Sequence, residues 1–190
     1  MNKTTIRRCT AIILLLIALS LLCACSRNSA AEYASVNGEI ITTAEIEYFK
    51  GRCRSEIINE YAEKYGVEDY SDFWDRAFDG MTPAQALEKR ALDEAVSAKI
   101  KLIMMRENGI YDDISFAAFS KAAEKFNSEN ENASGVVGIK TIDTDSFYTY
   151  YISTGELELK RILAEGEYEE LLTQRINEAK TEVFTTNIEK

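Results

Sequence analysis

Apolar residues recur at spacings of three and four along most of this chain, the period that places them on one face of an α-helix. Such runs fill most of the sequence after the first thirty-odd residues, and the breaks between them carry glycine, asparagine and charged residues. The single proline, Pro83, leaves few places where a helix would have to be interrupted. The pattern therefore predicts a mostly helical domain of about five helices.

The first helix has both a start and a stop signal. Thr42 followed three residues later by Glu45 matches a capping box, in which each side chain satisfies a free backbone N–H of the first turn. Gly66 favours termination, because it adopts the left-handed conformation that ends helices. The apolar stripe between these signals is Ile46, Phe49, Cys53, Ile57 and Tyr61.

The second helix is marked in the same way. Thr82 and Gln85 form a second capping box, and Pro83 occupies the first turn, where its missing N–H costs nothing. Asn108-Gly109 closes the helix. Its expected buried face consists of Leu87, Ala91, Ala95, Ala98 and Leu102.

Three more helices follow with weaker boundaries. Asp112 or Asp113 is expected to cap the third, and the fourth begins near Thr144 and contains Gly155, a candidate kink. The fifth begins near Glu167. Its expected buried residues are Tyr168, Leu171 or Leu172, Ile176, Ala179 and Val183, with Lys180 placed to interact with the helix dipole.

A small β element precedes the first helix. Asn37-Gly38 lies between apolar positions and is typical of a two-residue hairpin turn, because both residues tolerate positive φ. Val36 and Ile40 flank the turn, and the turn should return Ile40 and Ile41 to the core. Val136-Val137 is a candidate strand beside this hairpin. The fold class is thus mostly α with a minimal β element.

The N-terminus predicts a secretory signal peptide over residues 1–24. Basic residues precede a short apolar run that ends in Leu22-Cys23-Ala24-Cys25, which resembles the bacterial lipobox. Cys25 would become the lipid-bearing first residue, and its diacylglyceryl group would supply the two chains that stable anchoring needs. The alternative is an uncleaved N-terminal anchor. The expected organisation is signal peptide 1–24, tether 25–33, helical domain 34–185 and tail 186–190.

Cysteine use and charge fit this reading. After removal of Cys9 and Cys23 and lipidation of Cys25, Cys53 is alone, so no disulfide is expected, and its helical stripe predicts burial. The signal region removes three basic residues and no acidic ones, which leaves 19 basic against 32 acidic residues, a net charge of −13. Such a surface repels nucleic acid, so no nucleic-acid partner is expected.

The sequence offers no catalytic constellation. It contains no histidine, which removes the commonest general base and metal ligand, and it has no phosphate-binding loop. Ser71-Asp72 and Asp112-Asp113 do not match a calcium-loop spacing and are better explained as capping residues. No enzyme activity, cofactor or metal site is expected.

Aromatic residues are the most prominent chemical feature, with 10 Tyr, 8 Phe and 1 Trp. Core packing is the default interpretation of each, but Tyr and Trp also suit surfaces that bind apolar polypeptide segments. Phe116, Phe119 and Phe126 form one further aromatic cluster. The candidate client-binding residues are Tyr70, Phe73, Trp74, Phe78, Tyr148, Tyr150 and Tyr151.

Three segments resemble the SurA/PrsA-type chaperone domain of extracytoplasmic foldases. The stretch Val36-Asn-Gly-Glu-Ile-Ile-Thr42 is similar to the turn that leads into that family's first long helix. Residues 91–110, ending in Glu-Asn-Gly-Ile, resemble the helix that closes before a loop. Residues 115–163, with a phenylalanine-rich helix and Phe-Tyr-Thr-Tyr-Tyr, resemble lipoprotein members. The likeness covers most of 34–185.

The resemblance implies a lipid-anchored helical chaperone that cradles unfolded secreted polypeptides. Relatives often add a parvulin prolyl-isomerase domain that relies on histidines, which this chain lacks, so that activity is not carried over. We therefore expect a non-catalytic chaperone or holdase, anchored outside the cytoplasm to the bacterial cell membrane through Cys25. The alternatives are an accessory lipoprotein that binds one dedicated envelope or export partner and, third, an enzyme.

Overall fold

A computed structural model describes residues 31–131, 141–164 and 166–184. The signal peptide, Cys25, Val136-Val137 and the 186–190 tail lie outside the described residues. The elements run in the order β1 (Glu32–Val36), β2 (Glu39–Thr42), α1 (Thr43–Tyr65), α2 (Pro83–Glu107), α3 (Phe116–Glu131), α4 (Thr144–Ile162), α5 (Glu167–Asn177) and β3 (Thr181–Val183). The prediction of a mostly helical fold with a minimal sheet is confirmed.

The hairpin forms where Asn37-Gly38 predicts it. Asn37 has φ 51° and Gly38 has φ 86°, and Val36 pairs with Glu39 directly across the turn. Ile41 is fully buried, but Ile40 is 37% exposed. The expectation that both isoleucines face the core is wrong for Ile40, because successive side chains of a strand point to opposite faces. The sheet begins at Glu32.

The third strand comes from the C-terminal part of the chain. β3 pairs antiparallel with β1, which places β1 in the middle of the order β2-β1-β3. The fifth helix ends at Asn177 instead of continuing to Val183, which is 49% exposed in β3. The Lys180 carbonyl accepts a hydrogen bond from the Asn37 N–H at 2.9 Å. Residues 180–183 thus form hydrogen bonds with β1 and with Asn37, in place of the hydrogen bonds that they would have formed within a longer helix.

Most helix boundaries follow their local signals. The Thr82 capping box is complete, with the Gln85 N–H donating to Thr82 Oγ1 at 3.2 Å and the Thr82 N–H donating to Gln85 Oε1 at 3.0 Å. Gly66 ends α1 with φ 62°. The cap of α3 differs from expectation: Ser115 Oγ accepts from the Ala118 N–H, while Asp113 accepts from the Ser115 N–H. Asp113 therefore supports the cap from the preceding turn.

Gly155 permits close packing between α2 and α4. A Cβ at this position would lie 2.5 Å from Met105 Sδ and 2.8 Å from Met105 Cε. α4 runs without interruption from Thr144 to Ile162. The close approach of Met105 therefore explains this glycine, where the sequence suggested a kink.

A buried ion pair joins α1 to α2 inside the main core. Glu45 Oε1 and Oε2 lie 2.9 and 3.1 Å from Lys99 Nζ, and the two side chains are 4% and 1% exposed. The Thr42 hydroxyl caps the Glu45 N–H at 3.2 Å as predicted. The reciprocal half of the capping box is wrong, because the Glu45 carboxylate turns inward to the ammonium group.

Burial works against the charge of Glu45. Desolvation raises the pKa of this carboxyl above its ordinary value, and the nearby Lys99 ammonium opposes that rise. Removing either charge would strongly destabilise the fold, because the remaining buried charge would keep its desolvation penalty without a compensating ion pair. The pair consequently fixes how the start of α1 sits on the last turns of α2.

We expect Gly38→Val to lower the free energy of unfolding by about 1–2 kcal/mol, because a β-branched residue is strained at positive φ. Thr42→Ala should cost about 1 kcal/mol through the lost cap. Each kcal/mol corresponds to about 2–4 °C in Tm for a domain of this size. Thermal unfolding by circular dichroism measures both. Thr154→Ala, which removes an exposed hydroxyl from α4, is the control and should not lower Tm; unchanged melting of the two variants would refute the turn-and-cap assignment.

We expect Lys99→Met to lower the free energy of unfolding by about 3–5 kcal/mol at pH 7, because Glu45 is left buried without a cation. Without Lys99 the folded-state pKa of Glu45 rises further above its unfolded value. The folded state then binds a proton that the unfolded state does not, so the deficit relative to wild type should shrink from pH 7 towards pH 5. Urea unfolding at both pH values measures it.

The double variant Glu45→Leu/Lys99→Met is the matched test of the same pair. It removes both charges together and should be more stable than Lys99→Met alone. A single-variant deficit that is equal at pH 7 and pH 5 would contradict a buried, charged Glu45.

Candidate functional site

An open groove lies between α1, α2 and the first turns of α4. Its wider part encloses about 740 Å³ and a narrower continuation about 210 Å³. Phe49, Arg52 and Glu94 line both parts, so the two are continuous. We call this the α1–α4 groove. Its wider part is lined by Glu47, Tyr48, Phe49, Gly51, Arg52, Cys53, Glu56, Glu94, Asp143, Thr144 and Asp145.

Three aromatic rings form the apolar part of the groove. Tyr48 and Phe49 meet edge to face at 5.3 Å between centroids, and Tyr148 lies 5.0 Å from Tyr48 and 5.6 Å from Phe49. Two of these residues come from α1 and the third from α4. Such contacts hold aromatic rings in fixed relative orientations. Phe49 is 3% exposed and Tyr148 8%, whereas Tyr48 is half-buried, so the accessible aromatic surface of the groove comes mainly from Tyr48.

Arg52 connects the two helices across the groove. Its guanidinium carbon lies 5.9 Å from the centre of the Tyr48 ring and 5.7 Å from that of Tyr148. Arg52 also donates a hydrogen bond to Tyr48 Oη at 3.1 Å and forms an ion pair with Asp145 at the start of α4. Burial raises the pKa of Tyr48 to about 12 although Arg52 opposes the rise, so this phenol stays neutral at physiological pH.

Tyr148 carries an unsatisfied polar atom. The side chain is 8% exposed, and its buried hydroxyl has no hydrogen-bond partner among the described residues. Burial, followed by the charge of Glu45, raises its pKa above the usual range for tyrosine. A buried hydroxyl without a partner costs about 1–3 kcal/mol, so this hydroxyl lowers the stability of the folded state.

Carboxylates dominate the rim of the wider part. Its charged lining residues are Glu47, Glu56, Glu94, Asp143 and Asp145 against Arg52 alone. Most are already engaged: Glu47 pairs with Lys50 at 2.9 Å, and Glu56 lies 3.6 Å from Arg90. Within the part of the chain that the structure describes, Glu94 is exposed and has no hydrogen bond or ion pair. Its carboxylate is thus the free charge of the groove.

Gly51 stands in the middle of α1 and lines the groove. A glycine inside a helix costs about 1 kcal/mol relative to alanine, and a Cβ at this position would meet nothing within 4 Å. Unlike Gly155, Gly51 is not required by a neighbouring side chain. Because glycine has no side chain, α1 does not project into the wider part of the groove at this position.

The sequence-predicted aromatic residues divide between two clusters. Phe73 is 1% exposed and packs with Cys53, Ile57, Tyr61 and Leu87. Tyr70, which is 46% exposed, Trp74 and Phe78 surround it, and the Arg54 guanidinium lies 4.2 Å from the Trp74 ring centre. Phe73 is therefore a core residue whose ring is not available to a client in this structure.

The α4 candidates occupy three different environments. Tyr150 is 51% exposed and packs beside Phe126 and Phe147. Tyr151 stacks on Tyr111 at 4.3 Å and accepts, through its carbonyl, a hydrogen bond from the Tyr111 hydroxyl. Tyr148 is a core residue, and it is the one candidate from the sequence that lines the α1–α4 groove. Sequence reasoning missed Tyr48, Arg52 and Glu94; Gly51, a mid-helix glycine, was the available signal.

The described residues show no arrangement for metal binding, since no three or more His, Cys, Asp or Glu side chains form a group that could hold an ion. Cys53 lines the groove but is 4% exposed, which confirms its expected burial. Burial and the carboxylates of Glu94 and Glu56 raise the pKa of its thiol, so the reactive thiolate is disfavoured. No helix within the described ranges is long and apolar enough to cross a membrane.

Comparison with known proteins gives one informative similarity. The chain matches no protein-family model and no solved structure. Over 97 residues it is 32% identical to a chaperone for lacto-N-biosidase from Bifidobacterium longum subsp. longum. The matched region covers 49% of this chain and 35% of the relative, so the similarity spans about a third of the relative's length. The chain is thus similar to part of a protein that is named as a chaperone.

Proposed function

We propose that this protein is a non-catalytic chaperone that binds unfolded secreted polypeptides in the α1–α4 groove, held outside the cytoplasm by a lipid on Cys25. The observation that carries the proposal is the preformed groove itself, with aromatic rings at its base and the unfilled position of Gly51 beside them. The similarity to a chaperone supports the same class of function. A nucleic-acid partner is disfavoured by the net negative charge.

The groove has the properties that an unfolded segment requires. An extended chain presents alternating side chains and a backbone rich in donors and acceptors. The half-buried ring of Tyr48 offers apolar area, while carboxylates along the rim offer hydrogen-bond acceptors that keep the site wet. Such a mixed surface suits weak binding of many sequences better than it suits one rigid small molecule.

A second candidate function is that of a dedicated chaperone, which binds one partner protein. The relative is named as a chaperone for a single enzyme, and this observation favours a narrow client range at least as well as a broad one. A holdase should slow the aggregation of several unrelated denatured proteins. A dedicated chaperone should fail with those proteins and co-purify with one partner from its own cell envelope in a stoichiometric complex.

Catalysis is not part of the proposal. The sequence contains no histidine, so we do not propose the histidine-dependent prolyl-isomerase activity that SurA/PrsA-type foldases often carry. A peptide-based prolyl-isomerase assay on the processed chain, residues 25–190, should give the uncatalysed rate. A rate that grows in proportion to protein concentration would refute the non-catalytic assignment.

We expect Gly51→Trp to abolish most of the suppression of client aggregation, because the indole occupies the open space beside the aromatic base of the groove. Gly51→Ala is the matched control: it adds only a Cβ that meets no neighbour, and it should stabilise α1 by about 0.5–1 kcal/mol with activity retained. Light scattering of heat-denatured model proteins reads out activity, and circular dichroism reads out folding. Full suppression by a folded Gly51→Trp protein would remove the groove from the mechanism.

We expect metabolic labelling with a fatty-acid analogue to mark the protein in cells, and Cys25→Ala to eliminate the label. The reason is that the lipobox pattern Leu22-Cys-Ala-Cys25 leaves Cys25 as the acceptor thiol. Membrane fractionation of the same cells should find the wild-type chain with membranes. A Cys25→Ala protein that still carries the lipid would show that another residue is acylated.

A further inference from the structure

The free charge of the α1–α4 groove is concentrated at one position. Arg52, the basic residue of the wider part, is already paired with Asp145 and stacked against two tyrosine rings. Glu94 is the rim carboxylate that has no partner among the described residues, and it lines both the wider and the narrower parts. A cation that enters the groove therefore meets an uncompensated carboxylate at the point where the two parts join.

Aromatic surface lines the same part of the groove as that charge. Tyr48, which is half-buried, lines the wider part together with Glu94. The unfilled space at Gly51 adds room on the α1 side.

We propose that the groove selects extended polypeptide segments in which a lysine or arginine neighbours an aromatic or aliphatic residue. The cationic side chain of the client pairs with Glu94, and its apolar neighbour packs against Tyr48. This inference rests on the proposed chaperone function and specifies which segments of a client are bound. Selection follows from charge complementarity, since the remaining rim charges also favour a basic segment and penalise an acidic one.

The test measures the Kd of three fluorescent 12-residue peptides by anisotropy on the processed chain, residues 25–190. The peptides share two phenylalanines and two leucines in a serine background and carry lysine, glutamine or glutamate at the same three positions. We expect the lysine peptide to bind about tenfold more tightly than the glutamate peptide at low salt. The difference should shrink as salt rises towards 1 M, where the screening length falls to about 3 Å.

Two variants locate the charge. Glu94→Gln should weaken binding of the lysine peptide by about threefold to fivefold, the range of one solvent-exposed charge pair, and leave the glutamine peptide unchanged. Glu63→Gln is the matched control, because Glu63 is an exposed glutamate of α1 that does not line the groove; it should change neither Kd. Glu94→Gln lies on an exposed position, and circular dichroism checks that it folds.

The outcomes separate this inference from the function on which it rests. Equal Kd values for the three peptides, with suppression of client aggregation intact, would overturn charge selection and leave the chaperone function standing. A lysine preference that Glu94→Gln leaves undiminished would overturn the assignment to this groove. Failure to suppress aggregation of any client and to form a stoichiometric partner complex would overturn the function itself.

Discussion

The pairing of Glu45 with Lys99 is the constraint on which the rest of the domain depends. The two charges are almost completely withdrawn from water and lie 2.9 Å apart. Neither helix can shift along the other without separating them, because separation would leave a buried charge uncompensated. A single contact thereby sets the register of α1 against α2, which are also the two longest helices of the described structure.

The other helices close over this pair. Glu45 shares a small enclosed space with Ile114 and Phe119 from the region of α3 and with Tyr148 and Tyr151 from α4. The sheet covers the same core from another side through Ala34 and Ile41, both fully buried. An apolar pair would supply the same burial without specifying a register, whereas oppositely charged groups must meet at short distance.

The α1–α4 groove is a consequence of how α4 is held above α1. Arg52 of α1 joins the two helices by its ion pair with Asp145 and by its contact with the Tyr148 ring, and both contacts hold the start of α4 at the rim of the groove. Gly51 leaves the intervening space empty. The apolar surface inside this gap is small and partly covered by charge, which limits self-association.

Local signals accounted for the helices and the hairpin. The Thr82 capping box, the Asn37-Gly38 turn and the Gly66 stop depend on residues within three or four positions of one another, so a local sequence pattern is enough to predict them. The same locality explains why the burial of Cys53 followed from its stripe.

What the sequence by itself determined was therefore the helical class, most element boundaries and the periodic part of the core. Tertiary structure alone decided the partner of Glu45. The sequence is equally compatible with a carboxylate that caps its own helix and with one that pairs with Lys99, which is 54 residues away. It also decided that β3 would end the sheet and that Tyr48, Arg52 and Glu94 would meet in one groove. Buried charges and the backbone groups at a strand edge need partners. Which distant residues supply those partners is determined by how the helices pack, and the sequence pattern does not show it.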